Sequence, residues 1–309
     1  MPGAYAHIAV VNAVQKWSDT VGLRKVTSRN LARDLKYLEF GAVSPDYPYL
    51  ALKSGQAAWA DSMHYTNTSA LLKAGVAAVR ALPVATQGRA TVWLMGLAAH
   101  MATDMTIHPV VELRVGEYSQ NKGDHRRCEM HQDAYIFPRV MNVGETAMTE
   151  HLASGIATCH SRTDADCIDG AVLATWMPML CAAYPAMYLE SLPEPNTWHA
   201  GFQRVLGTLG RASHLFPFAR HVAADANINY PMTDQIDESY IVGLRTPEGP
   251  MDYLPLFERA RTNVLQVWKG MDEALETGDS KFLNTLEDWN LDTGRSVATG
   301  RHVFWGVLA

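Results

Sequence analysis

The stretch Gly96 to Pro109, GLAAHMATDMTIHP, constrains the fold more than any other, because His100, Asp104 and His108 follow one another at four-residue intervals inside an apolar run. On a helix this spacing stacks the three side chains along one face, with a drift of about 40° per step. Leu94, Leu97, Ala98 and Met101 mark the same segment as interior. A carboxylate flanked by imidazoles on a buried apolar helix is costly unless a cation or a hydrogen-bond network satisfies it. Imidazole and carboxylate are also the donors that borderline divalent cations such as zinc prefer. The segment therefore reads as a buried helix carrying a metal site, the alternative being core histidines satisfied by hydrogen bonds.

The rest of the chain supplies helices to surround it. At 309 residues and 48% apolar content, with a net charge of −6 and no Lys/Arg stripe, it has material for a large core. No surface is suited to tracking a phosphate backbone, so nucleic acid is excluded as a stable partner. Val10, Val14, Trp17 and Val21 recur at helical spacing and aim His7 inward. A second helix is expected over Ser28 to Phe40, capped by Ser28, with Leu31, Leu35 and Leu38 inward. GAVSPDYPYL then interrupts the pattern with two prolines around Asp46, defining a rigid loop. Helices resume at Gly55 to His64, which leaves His64 at a helix end, and at Ala70 to Leu82 behind a cap at Asn67 or Thr68.

After the central helix and a Gly-, Asn- and Lys-rich loop at Gly116 to Gly123, the segment DHRRCEMHQDAYIF sets His125 and Glu129 four apart on one face. His131 and Asp133 point elsewhere. Helical pattern continues near Thr146 to Cys159, Asp164 to Glu190, Trp198 to Val222 and Pro255 to Glu276. The interval Ala223 to Tyr253 is irregular and is read as a lid or a partner surface. No strand-like alternation persists, so the expected fold is all-α, a single helical domain over residues 1–309. The metal-site motifs occupy residues 1–140, and residues 141–309 continue the bundle.

Gly170 to Leu189 carries no charge over a length able to span a bilayer, but Pro178 and Pro185 interrupt it, and it reads as a buried, kinked helix rather than a membrane segment. The N-terminus has no positively charged start, and Asn12 and Gln15 break its apolar run, so a cytoplasmic location is expected. Cys128, Cys159, Cys167 and Cys181 show no CxxC spacing and read as free thiols. His151, His160, His199, His214, His221 and His302 lack carboxylates at matching spacing and read as structural.

The ordered set His7, Asp46, His64, His100, Asp104, His108, His125 and Glu129 resembles the zinc-dependent phospholipase C family. That family includes bacterial phospholipases C and the N-terminal domain of glycosylphosphatidylinositol phospholipase D, and shares its fold with the S1/P1 nucleases. GAVSPD is similar to the family's loop aspartate, HYTNT to its next histidine, HMATD to its HxxxD and HRRCE to its HxxxE. The resemblance implies one Zn2+ at Asp46, His64, His100 and Asp104, and a second at His108, His125 and Glu129. It implies a third at His7 sharing Asp104, where the secreted members add their mature amino terminus. Here either that site lacks its terminal ligand or Pro2 supplies it after loss of Met1.

The resemblance further implies hydrolysis of a phosphodiester in a phospholipid or related phosphoester, with Asp46 as base or water-orienting group. Two alternatives stay open. One is a cytoplasmic hydrolase of soluble phosphoesters; the other is a non-catalytic helical scaffold held together by metal.

Overall fold

The computed structural model describes residues 3–18, 22–51, 55–142, 155–209 and 230–306. Its axis is a 32-residue helix, Val84–Val115 (α6), in which every residue from Ala90 to Val111 is buried. A helix buried on all sides needs neighbours all round, and the sequence supplies them on both sides in chain order. Before it come Ala4–Gln15 (α1), Lys25–Arg33 (α2), Leu35–Val43 (α3), the 3-10 turn Ser44–Leu50, Ala57–Tyr65 (α4) and Thr68–Ala81 (α5). After it come Lys122–Met141 (α7), Gly170–Ala183 (α8), Pro185–Glu190 (α9), Pro195–Leu209 (α10), Tyr253–Thr277 (α11) and Lys281–Thr285 (α12). Two small antiparallel hairpins complete the described residues: Leu244–Thr246 (β1) with Gly249–Met251 (β2), and Trp289–Asn290 (β3) with Arg295–Ser296 (β4). The fold is all-α, as expected.

A close helix crossing sets the site. Where α3 meets α6, a Cβ on Gly41 would lie 2.0 Å from the Trp93 carbonyl oxygen and one on Gly96 2.2 Å from the Leu38 carbonyl oxygen. Only glycine on both sides permits this approach. It delivers the Ala42 carbonyl oxygen to His100 Nδ1 at 2.8 Å, so backbone proximity becomes side-chain orientation. From the other side α11 locks onto α6 through Trp268 Nε1, which donates to Met95 O at 2.8 Å, and Asn263 Nδ2, which donates to Thr106 Oγ1 at 3.0 Å.

Helix α1 is fixed by α7. The buried Asp133 carboxylate accepts from the backbone N–H of Ala6 at 2.7 Å and of Tyr5 at 3.3 Å, capping the first turn of α1, in which His7 lies. Tyr230 Oη also donates to it, at 2.9 Å. Burial pushes the Asp133 carboxyl up to about 7, against these three hydrogen bonds. Asn12 Nδ2 donates to Glu39 Oε1 at 2.7 Å and joins α1 to α3.

Some boundaries differ from the sequence reading. The helix expected over Ser28 to Phe40 is two helices broken at Asp34, and Ser28 lies inside α2, its hydroxyl donating to Ser18 O rather than capping. The Gly170 to Leu189 segment divides at Tyr184 and Pro185 into α8 and α9, because proline disfavours a helical conformation in the residue before it. No helix among the described residues is long and apolar enough to cross a membrane. Most of the expected helix over Thr146 to Cys159, and the Ala223 to Asn229 part of the irregular interval, lie outside the described residues. From Tyr230 onward that interval holds two 3-10 turns and the β1–β2 hairpin.

Candidate metal centre

Four elements converge on the inner face of α6. His100 and Asp104 stand one turn apart on α6 itself, His7 comes from α1, Asp46 from the 3-10 turn and His64 from the end of α4. All five are buried. His100 Nε2 lies 3.1 Å from Asp104 Oδ2, His7 Nε2 3.2 Å from Asp104 Oδ1, and His64 Nε2 3.5 Å from Asp46 Oδ1 and 3.8 Å from Asp104 Oδ2. Two overlapping groups have ligand atoms close enough to share an ion: Asp46, His64 and His100, and His7, His100 and Asp104.

The protons show what this cluster needs. His64 Nδ1 meets the Ala60 carbonyl oxygen at 2.7 Å, and His100 Nδ1 meets that of Ala42 at 2.8 Å. A carbonyl only accepts, so both Nδ1 atoms carry hydrogen, and in the neutral rings both Nε2 atoms present lone pairs. Those lone pairs face each other across 3.3 Å, with the Asp46 and Asp104 carboxylates alongside. These groups repel in a low-dielectric interior unless positive charge sits among them, and although burial opposes a proton on His100, the Asp104 and Asp46 carboxylates raise its pKa. A divalent cation relieves that repulsion with the donor set zinc takes.

His7 and His100 add to the case. Their rings stack at 4.1 Å and 12°, and neither nitrogen of His7 nor either oxygen of Asp104 has a hydrogen-bond partner among the described residues. Burial and the neighbouring His100 lower His7 to about 4, keeping it neutral. Burial also acts against charge on Asp104, but His100 and His7 outweigh it and hold the carboxyl below the usual carboxylate range. The residues present fit a metal ion. Residues 1 and 2 lie outside the described residues, and with them the terminal ligand considered for His7.

The second expected centre is organised differently. His125 Nε2 donates to the Gly116 carbonyl oxygen at 2.5 Å, which fixes its tautomer and leaves the Nδ1 lone pair 4.0 Å from Glu129 Oε1. Burial lowers the His125 pKa against the pull of Glu129. His108 does not join the Asp104 cluster; its Nδ1 instead lies 3.6 Å from Asp292 Oδ1, on the turn between β3 and β4. Both ring nitrogens of His108, and Nδ1 of His125, lack a hydrogen-bond partner among the described residues. His108, His125 and Glu129 are thus all buried here, but they form no group as tight as the first two. Of these, His125 lines a cavity of about 430 Å³, together with Asp292, Tyr65, Tyr118, Glu112 and Glu117. Burial, and then the carboxylates of Glu129, Asp292, Asp46 and Asp61, push the Tyr118 phenol up, and Tyr118 lines the cavity with its ring centroid 5.3 Å from that of His125.

Sequence reasoning missed Asp292, Tyr65, Tyr118 and the capping role of Asp133. The Asn-, Asp- and Gly-bearing segment NLDTG marked a turn at Asp292 but not what it faces. Asp133 lies four residues beyond Glu129, the same interval that linked His125 to Glu129. Of the histidines read as structural, His199 is buried between Tyr47 Oη at 3.0 Å and Gln203 Nε2 at 3.1 Å, and His160 bonds to Ser161 O. His151, His214 and His221 lie outside the described residues.

An all-α frame that gathers buried His and Asp side chains into two groups able to hold a metal ion, beside a carboxylate-lined cavity, fits the class of metal-dependent hydrolases. Sequence comparison makes the class specific. The chain belongs to the family described as zinc dependent phospholipase C, whose model matches residues 6–185. The match holds all eight expected ligands, reaches past the first 140 residues into α8 and α9, and ends before Asp292. No curated protein and no solved structure matches the chain.

Proposed function

We propose that this protein is a zinc-dependent phosphodiesterase of the phospholipase C type, holding two or three zinc ions and acting on a phosphoester with a positively charged head group. The convergence of buried His and Asp donors beside a cavity that opens to solvent carries the reading. Closely spaced divalent cations lower the pKa of bound water, hold phosphate oxygens and stabilise a leaving alkoxide. The protein's own groups divide the remaining work. Asp46, beside His64, accepts the proton of the attacking water. Tyr118, on the cavity wall beside His125, offers a hydrogen bond to a phosphate oxygen.

Head-group preference follows from the cavity walls. Glu112 and Glu117 bring negative charge, Tyr65 brings an aromatic face, and Lys122, the cation among the lining residues, stands over the Tyr118 ring. Carboxylates with aromatic rings favour an ammonium group. Choline-bearing lipids and small soluble choline esters share this chemistry.

Protein with bound zinc should hydrolyse p-nitrophenyl phosphorylcholine in preference to bis(p-nitrophenyl) phosphate, with activity abolished by chelation and restored by zinc. Comparing dispersed phosphatidylcholine with the soluble ester separates a lipase from a soluble phosphoesterase. Absence of zinc-dependent turnover of every phosphodiester tested would overturn the reading in favour of a metal-held scaffold. A cytoplasmic location belongs to the same proposal and is checked by cell fractionation.

A further inference from the structure

The β3–β4 turn lies far along the chain from the other candidate ligands, yet it is anchored to the site at several points. Leu291 N–H donates to the carbonyl oxygen of His64 at 2.9 Å, and Trp289 N–H to Thr68 Oγ1 at 2.6 Å, tying the hairpin to the junction of α4 and α5. Asn290 Oδ1 accepts from the N–H groups of Asp292 and Thr293 at 3.1 and 3.2 Å, which sets the turn. Gly294, at φ +65°, sits so close to α6 that a Cβ would lie 2.3 Å from Pro109 Cγ and 2.6 Å from Met105 O. Pro109 has no N–H to give that carbonyl, so the turn packs where the α6 hydrogen-bond ladder is interrupted, beside His108.

These anchors aim Asp292 inward. Tyr65 Oη donates to Oδ2 at 2.6 Å, which leaves Oδ1 turned toward His108 Nδ1 at 3.6 Å. The side chain is 15% exposed and lines the same cavity as His125. His108 has no hydrogen bond at either nitrogen among the described residues, so Asp292 is not engaged as its hydrogen-bonded orienter. A carboxylate that served only to orient the ligand would hold one ring nitrogen in a hydrogen bond.

We propose that Asp292 is a direct ligand of the second metal ion, joining His108, His125 and Glu129. The second centre is then completed by a residue outside the stretch that carries the family resemblance. The inference rests on the two-centre reading above, and its test separates the two.

Zinc content is measured on purified wild-type protein and on Asp292→Asn, both equilibrated with buffered free zinc, with circular dichroism checking the fold. Wild type should hold at least two ions and Asp292→Asn one fewer. Asp292→Cys with cobalt replacing zinc supplies a signature that a supporting role does not produce, a thiolate-to-cobalt charge-transfer band absent from wild type. Full zinc content in Asp292→Asn, or no such band in a folded Asp292→Cys protein that binds cobalt, overturns ligation by Asp292. A wild-type protein that takes up a single ion overturns the two-centre reading and this proposal with it.

Discussion

Replacing Asp104 with Asn tests the core of the site, because this carboxylate touches three imidazoles. It lies 3.1 Å from His100, 3.2 Å from His7 and 3.8 Å from His64, and belongs to the group with His7 and His100. A divalent cation and a carboxylate about 4 Å apart, at an effective dielectric of about 20, attract by about 8 kcal/mol. With the amide dipole and water restoring about half, about 4 kcal/mol is lost, a fall of about a thousandfold in zinc affinity. The metal-free state moves the other way. The new amide N–H can donate to the His100 Nε2 lone pair, which relieves part of the acceptor crowding. Asp104→Asn should therefore lose zinc and turnover, while its metal-free form melts no lower than metal-free wild type. Zinc analysis after dialysis, paired with calorimetric melts, reads both effects, with His160→Ala as a control outside the site. Full zinc occupancy with near-normal turnover in Asp104→Asn would refute the reasoning.

Chelation of wild type should lower its melting temperature, since zinc at about a thousand times its Kd stabilises by about 4 kcal/mol; an unchanged melt would mean that the buried donors need no ion. Asp133→Asn should flatten the pH dependence of stability. Because burial raises this carboxyl to about 7 in the folded state, its contribution is fully present below the unfolded carboxylate range and lost as pH rises through about 7. Denaturant unfolding at pH 5 and 8 measures the slope, and identical slopes in both proteins would contradict it. Gly96→Ala forces a Cβ against the Leu38 carbonyl oxygen and should cost about 3 kcal/mol in a urea melt. Gly294→Ala, strained at φ +65° and crowded by Pro109, should cost about 2 kcal/mol, with wild-type stability the result that counts against the anchoring.

The four-residue spacing on α6 made the centre of the site legible, up to the point where helical drift took over. His100 and Asp104, one step apart, meet at 3.1 Å. His108, two steps from His100, has drifted by about 80° and faces the β3–β4 turn instead. The inward direction of His7 and the position of His64 at a helix end were also readable, from apolar period and from the polar stretch that stops α4. Asp292 was not, because a turn aspartate has no periodicity to say what it faces, and its partners lie far away in sequence. The break at Asp34 was hidden because Leu31, Leu35 and Leu38 keep helical spacing across it. Asp133 escaped because its partners are backbone N–H groups, and every residue but proline has one.

The same anonymity marks the acceptors that orient the imidazoles. His64, His100 and His125 are steered by the carbonyl oxygens of Ala60, Ala42 and Gly116. Many metal sites give this task to an aspartate or glutamate that one base change can abolish. A main-chain oxygen is encoded by no codon, so point mutation at Ala60, Ala42 or Gly116 leaves the acceptor in existence and misaims the ring only by shifting the backbone. Selection that keeps these three rings aimed therefore acts on helix geometry, with the Gly41–Gly96 crossing its most exposed point. A sequence search for the usual supporting carboxylates would pass over this centre.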